Sequence, residues 1–248
     1  GGAARTPTAL AAVAGTAQAG PGGEARAVRR AVRVSDGSGP LPGIPVSFTA
    51  ANGSASPSTV NSDATGTATA TWTLGGTPGA QTLQASVAGV PAVTFTATGV
   101  AGAPVLISPV AGNSQTATVG TALPTKLIAQ VTDGFGNPKA GETVTFEVTA
   151  GGGAVTGAVQ TTNAQGQATL GNWVLGPSPG IHIVTATSVG TIPATFVATA
   201  TAVPPKSVVA VAGATQTGNT VTLALQSPTI EARDSSDNPM PGVEVVFA

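Results

Sequence analysis

The sequence predicts an all-β protein, tandem immunoglobulin-like β-sandwiches arranged in a rod, and three observations carry that expectation. Glycine (34) and proline (20) are too abundant for long helices, because both disrupt helix interiors. Hydrophobic residues make up 41% of the chain and charged residues only 8%, the reverse of the low hydrophobicity and high charge that keep a chain disordered. The third observation is an internal repeat, the strongest organising signal in the 248 residues.

The repeat opens with Val-Ala-Gly followed by x-x-Gln: Val13-Ala14-Gly15 with Gln18, Val110-Ala111-Gly112 with Gln115, and Val211-Ala212-Gly213 with Gln216. A proline stands eight residues before each glycine, at Pro7, Pro104 and Pro205, and the copies are offset by 97 and 101 residues. A second landmark follows. Val34-Ser35-Asp36-Gly37-Ser38-Gly39-Pro40 leads to Gly43, Val46 and Phe48, and Val131 through Asn137-Pro138 leads to Gly141, Val144 and Phe146. Asp234 through Asn238-Pro239 leads to Gly242, Val245 and Phe247. Later landmarks occur twice: Asp63-Ala64-Thr65-Gly66 matches Asn163-Ala164-Gln165-Gly166, and Trp72 with Leu74-Gly75 matches Trp173 with Leu175-Gly176. Phe95 and Phe196 each follow their tryptophan by 23 residues. These spacings predict Ig-like domains over 1–99 and 100–200, and the N-terminal part of a third over 201–248.

Each landmark has a physical reading. Asp-Gly-x-Gly-Asn-Pro is turn chemistry: Asp and Asn cap the backbone, Gly supplies positive φ and Pro fixes the next one. It joins two runs that alternate with period two, Leu127-Ala129-Val131 and Val144-Phe146-Val148, the pattern of half-buried strands. The Asp/Asn-Ala-x-Gly segment is a second tight turn, followed by Ala168, Leu170 and Trp173 with a small offset. Seven or so short strands per copy, with turns at regular spacing, fit a sandwich whose core holds one Trp and two Phe. The equal, proline-bearing connections at Ala103-Pro104 and Pro204-Pro205 favour a repeated orientation, each domain adding roughly 30 Å of length.

The composition narrows function. A formal net charge of −1 gives no general attraction to nucleic acid or anionic membranes. Arg26, Arg29, Arg30 and Arg33 cluster, and are expected on a polar strand face near a domain edge rather than as a phosphate site. The absence of cysteine excludes disulfides and thiol chemistry but not secretion. No run of 18 apolar residues predicts a membrane-spanning helix. The chain opens at Gly1-Gly2 with no leader, as a processed protein or an internal piece would.

No catalytic, cofactor or metal site is predicted. The lone histidine, His182, sits in Ile181-His182-Ile183-Val184, where period two puts it opposite its apolar neighbours and so towards solvent. One His without Cys does not build an ordinary zinc site, and no Gly-x-Ser-x-Gly elbow between strand and helix is present. Gly151-Gly152-Gly153 reads as a loop tip, since no helix follows to make a phosphate cradle. Asp36, Asp133 and Asp234 recur at one turn and are expected to bond its backbone; for calcium the ligand count falls short, as only Asp237 joins Asp234. Threonines in 65–73 and 94–98 suit exposed strand faces, and Asn52-Gly53-Ser54 is a formal sequon expected to be a turn.

These motifs together resemble the bacterial Ig-like domains of group 1 (Big-1) found in invasin- and intimin-type surface proteins. Residues 101–200 carry the full set, 1–99 carry it without the Asn before Pro40, and 201–248 carry the first half. The resemblance implies display outside the bacterial cell, at its surface, and a non-catalytic spacer or adhesin-stalk role. The partners it implies are adjacent Ig-like domains, with any host or matrix protein or glycan bound by other parts of a parent protein. Two alternatives stand beside it. The incomplete third copy would expose an apolar face; it is read as part of a longer protein, or as the joint of a self-associating filament or coat subunit completed by a neighbour's strands. A carbohydrate-binding accessory module would need exposed, unrepeated aromatics, and both Trp and most Phe are assigned to the core.

Overall fold

The computed structural model describes residues 5–23, 29–215, 217–218, 227–234, 237 and 239–247. Among them every regular element is a strand. The first sandwich contains β1 (Ala9–Ala14), β2 (Gln18–Pro21), β3 (Arg30–Asp36), β4 (Gly39–Pro40), β5 (Pro45–Ala50), β6 (Ser54–Ser56), β7 (Thr59–Asn61), β8 (Thr67–Thr73), β9 (Gly79–Val87) and β10 (Val90–Val100). One sheet runs β1-β3-β8-β6 with β4 on β3; the facing sheet runs β2-β10-β9-β5-β7. The second repeats this plan with β11 (Pro104–Ala111), β12 (Gln115–Thr118), β13 (Ile128–Asp133), β14 (Thr143–Ala150), β15 (Gly153–Thr156), β16 (Val159–Thr161), β17 (Gln167–Thr169), β18 (Asn172–Leu175), β19 (Gly180–Thr187) and β20 (Ala194–Thr201). The third copy shows β21 (Ser207–Ala212) paired antiparallel with β22 (Thr229–Arg233).

The Val-Ala-Gly-x-x-Gln landmark is the place where the first strand changes sheets. β11 pairs with β13, whereas β12, four residues on, pairs in parallel with β20 in the other sheet. Gly112 makes the crossing at φ +79°, so close to the Lys126 carbonyl that a Cβ would stand 2.5 Å from it. Gln115 clamps the crossing: its Nε2 donates to Gly112 O and Thr125 O, both at 2.7 Å, and its Oε1 accepts from Thr125 N at 2.9 Å. The turn after β16 is built alike in both copies. Asn163 Oδ1 accepts from Gln165 N and Gln167 N, and Asp63 Oδ1 from Thr65 N and Thr67 N. Gly166 lies at φ +70°, where a Cβ would fall 2.6 Å from Val131 O, a position open only to glycine.

Alternation is seen as expected along β13, β14 and β8, with Leu127, Ala129, Val131, Val144 and Phe146 inward. Two separate cores result: one gathers Val32, Phe48, Trp72, Leu83 and Phe95, the other Val131, Phe146, Trp173, Val184 and Phe196. Phe146 and Phe196 meet with ring centroids 6.2 Å apart at 48°. The offset before Trp173 is real: β8 is continuous, but its counterpart breaks into β17 and β18 at Gly171, which donates to Thr156 O at 3.0 Å. One extra residue there re-aims Trp173 inward, as a β-bulge does.

Three side-chain expectations are corrected. His182 is buried, 1% exposed, and it is Ile181 that faces out at 57%. The strand's phase is set by Val184 and Ala186, both fully buried, which leaves His182 on their face. Arg30 lies within the sandwich rather than on a polar face, with its guanidinium 4.9 Å from the centroid of the Trp72 ring. Arg29 and Arg33 are exposed as expected, and Arg26 lies outside the described residues. Phe135 is an exposed, unrepeated aromatic at 60%, contrary to the expectation that none would be found.

Candidate functional site

The feature that most distinguishes this chain from an isolated sandwich is the contact between its first and second copies, and the recurring aspartate organises it. Asp133, at the end of β13, is 4% exposed. Its Oδ1 accepts from Phe135 N and Asn137 N, both at 2.9 Å, which closes the Asp-Gly-Phe-Gly-Asn-Pro turn. Its Oδ2 accepts from Gly102 N at 2.8 Å, tying the connection between the copies to this turn. Burial pulls its pKa up, but the Asn137 side chain and the N–H groups of Gly102, Asn137 and Phe135 outweigh that and hold the carboxyl below its usual range.

The turn then reaches the preceding sandwich. Asn137 Nδ2 donates to Gly76 O at 2.7 Å, and the ring of Phe135 lies against Gly76 and Gly23. The first copy uses its own aspartate in the same place: Asp36 Oδ1 accepts from Ser38 N at 2.7 Å, and Oδ2 from Arg5 Nε at 2.8 Å. Arg5 stands two residues before Pro7, as Gly102 stands two before Pro104. A guanidinium in the first copy and a backbone N–H in the second thus fasten the entering chain to the matching carboxylates, Asp36 and Asp133. The Arg5 guanidinium, then the Ser38 N–H, hold Asp36 down at about 2. The expectation that these aspartates serve the turn backbone is met for Asp36 and Asp133, and their reach into the connecting segment is what the sequence did not reveal.

His182 occupies the far end of the second sandwich. Gly176 N donates to its Nδ1 at 3.3 Å, and its Nε2 lies 3.0 Å from Ser178 O, so the ring carries its proton on Nε2. Gly151 covers it; a Cβ there would fall 2.4 Å from the ring. In the first copy Gln81 does this work, accepting from Gly75 N at 2.8 Å and donating to Thr77 O at 2.8 Å. His182 is therefore a loop clamp. Two further clamps carry little signal in the sequence: Ser62 Oγ bridges Leu41 O and Ile44 N, and Thr162 Oγ1 bridges Lys139 O and Glu142 N. The only signal was a small hydroxyl one residue before each Asp/Asn-Ala turn. Among the described residues no group of three or more His, Cys, Asp or Glu is placed to hold a metal ion, and no helix is long and apolar enough to cross a membrane.

No family model and no curated protein matches the sequence. Among solved structures the chain is similar to InvD of Yersinia pseudotuberculosis, with 19% identity, a TM-score of 0.50, and coverage of 93% of this chain and 72% of that one. It is also similar to the Escherichia coli adhesin FdeC, at 19% identity and TM-score 0.47 over 95% and 76% of the two chains. A D0–D1 fragment of intimin aligns at 24% identity and TM-score 0.30 over 77% of this chain and 95% of the fragment. At 19% identity the likeness to InvD is one of fold, and the chain shares its immunoglobulin-like architecture.

Proposed function

We propose that this chain is a non-catalytic spacer, a stalk segment of an adhesin-like protein displayed at the bacterial cell surface. Its domains run over 1–99 and 100–200, with 201–248 forming the N-terminal part of a third. The observation that carries the reading is the junction itself. The chain leaves the first sandwich at the end of β10, and the next sandwich's Asp133 turn seats on the Gly76 loop of the first. A connection of a few residues, bonded at Gly102 and bridged by Asn137, holds the second sandwich against the Gly76 loop of the first, which supports a spacer reading. The Big-1-like motifs support display outside the cell.

The test is replacement. In a displayed parent protein, exchanging residues 101–200 for an unrelated sandwich of equal length should leave binding by the distal tip intact, and deleting them should shorten its reach. Loss of binding on exchange at equal length would show that this segment itself contacts the partner.

A further inference from the structure

The two joints of the chain differ in chemistry. At the first, the end of the leading sandwich is a platform of four glycines, Gly22, Gly23, Gly75 and Gly76, packed backbone against backbone. A Cβ on Gly22 would stand 2.6 Å from Gly75 O and 2.7 Å from Gly76 Cα. Onto this platform the second sandwich lowers Phe135. A Cβ on Gly76 would fall 2.4 Å from Phe135 Cδ1, and one on Gly23 would fall 2.8 Å from its Cζ. The ring seats only because both positions lack a side chain. Asn137 completes the contact from the same turn with its bond to Gly76 O at 2.7 Å.

Only part of this is general to the repeat: Gly23, Gly75 and Asn137 have counterparts in Gly120, Gly176 and Asn238. The positions matching Phe135 are Ser38 in the first copy and Ser236 in the third, as counted from Asp36 and Asp234. The positions matching Gly76 and Gly22 in the second copy are Pro177 and Val119. The ring and the glycine most tightly under it, Gly76, thus occur together at the first joint and are both replaced at the second. Motion between neighbouring domains is the default unless their interface opposes it.

We propose that Phe135 and the Gly22-Gly23/Gly75-Gly76 platform form a latch specific to the first joint. The platform is an interaction surface shaped for one aromatic side chain on the tip of a neighbouring turn. The latch fixes the relative orientation of the first two sandwiches, and the joint that follows residue 200 swings more widely. The inference rests on the stalk reading, since it assigns stiffness along that stalk.

The absence of native cysteine makes distance measurement between introduced spin labels direct. One pair, Thr59→Cys with Val159→Cys, spans the first joint from matching exposed edge strands; a second, Ile181→Cys with Val208→Cys, spans the next. In the 248-residue chain the first pair should give a narrow distance distribution and the second a broad one. Phe135→Ala, a change at an exposed position, should broaden the first to resemble the second while leaving the thermal midpoint in place. Gly76→Ala, which keeps the ring but fills its seat, should do the same. An unchanged first distribution in both variants overturns the latch, as does a second distribution as narrow as the first. Scattering from the same samples keeps the two ideas apart: an elongated particle upholds the stalk whichever way the latch is decided, and a compact one removes the stalk alone.

Discussion

Asn137 and Asp133 form a two-way bridge: the Asn137 amide lies 3.1 and 2.9 Å from the two oxygens of Asp133, and the same nitrogen donates to Gly76 O in the neighbouring sandwich at 2.7 Å. One hydrogen of the amide is shared by the carboxylate and the other crosses the joint. The turn that ends a strand is by this means also the part that meets the preceding sandwich. Asp133→Asn keeps an oxygen for the turn N–H groups but points an amide at Gly102 N and Asn137 Nδ2, so donor faces donor. Chemical denaturation should show a loss of about 1–3 kcal/mol. Ser38→Ala, at the matching turn of the first copy, keeps its backbone N–H and should fall within about 0.5 kcal/mol of the parent.

His182→Gln should leave stability close to the parent, because Gln81 makes the same pair of bonds in the first copy. His182→Leu fills the space but leaves Gly176 N and Ser178 O without their side-chain partner, and should cost about 1–3 kcal/mol. Equal midpoints for the two variants would show that the ring is present for its volume alone.

Arg30 and Leu127 hold one position in the two sandwiches. A Cβ on Gly15 would lie 2.7 Å from Arg30 Cδ, and one on Gly112 would lie 2.9 Å from Leu127 Cδ2. The second core fills that place with an apolar chain, so Arg30→Leu should be neutral or stabilising, as replacement of a buried charge by a well-packed side chain often is. Arg30→Ala removes both packing and the contact with Trp72 and should cost about 2 kcal/mol or more.

Acid should weaken the protein through its turns. Asp36 sits at about 2, and Asp133 is also lowered; Asp63 is lowered first by the Thr65 hydroxyl and then by the Thr67 and Thr65 N–H groups. Folded values below the unfolded value mean that the unfolded chain takes up protons first as pH falls. The stability they contribute is full above about pH 4 and is lost as pH drops towards about 2. Urea midpoints measured across that window should fall, and Arg5→Ala should flatten the part due to Asp36. A midpoint independent of pH there would contradict the assignment.

Much of this was legible in the sequence, for stated reasons. Turn residues act locally, so Asp63, Asn163, Gly66 and Gly166 could be understood from their neighbours alone, and the in-phase Trp and Phe could only be core. The phase of β19 could not be told, because Ile181 and Ile183 on one side and Val184 and Ala186 on the other give it two apolar faces. Which face turns inward is decided by pairing with β14 and β20, a long-range property. The burial of Arg30 is not legible in the sequence because a charge usually marks an outer face; here Trp72 offers its ring. The role of Phe135 depends on glycines about 60 and more than 100 residues away in sequence, a pairing visible only once two copies are set against each other.

In the proposed stalk the copies stand end to end. Small-angle scattering of the 248-residue chain, beside a version in which residues 101–200 are duplicated, tests it most directly. An end-to-end stalk gives a radius of gyration of roughly 25 Å or more, as for a rod about 90 Å long, and a maximum dimension that grows by roughly 30 Å with the added copy. A value near 18 Å, that of a compact globule of this size, with little growth in length on duplication, would contradict it.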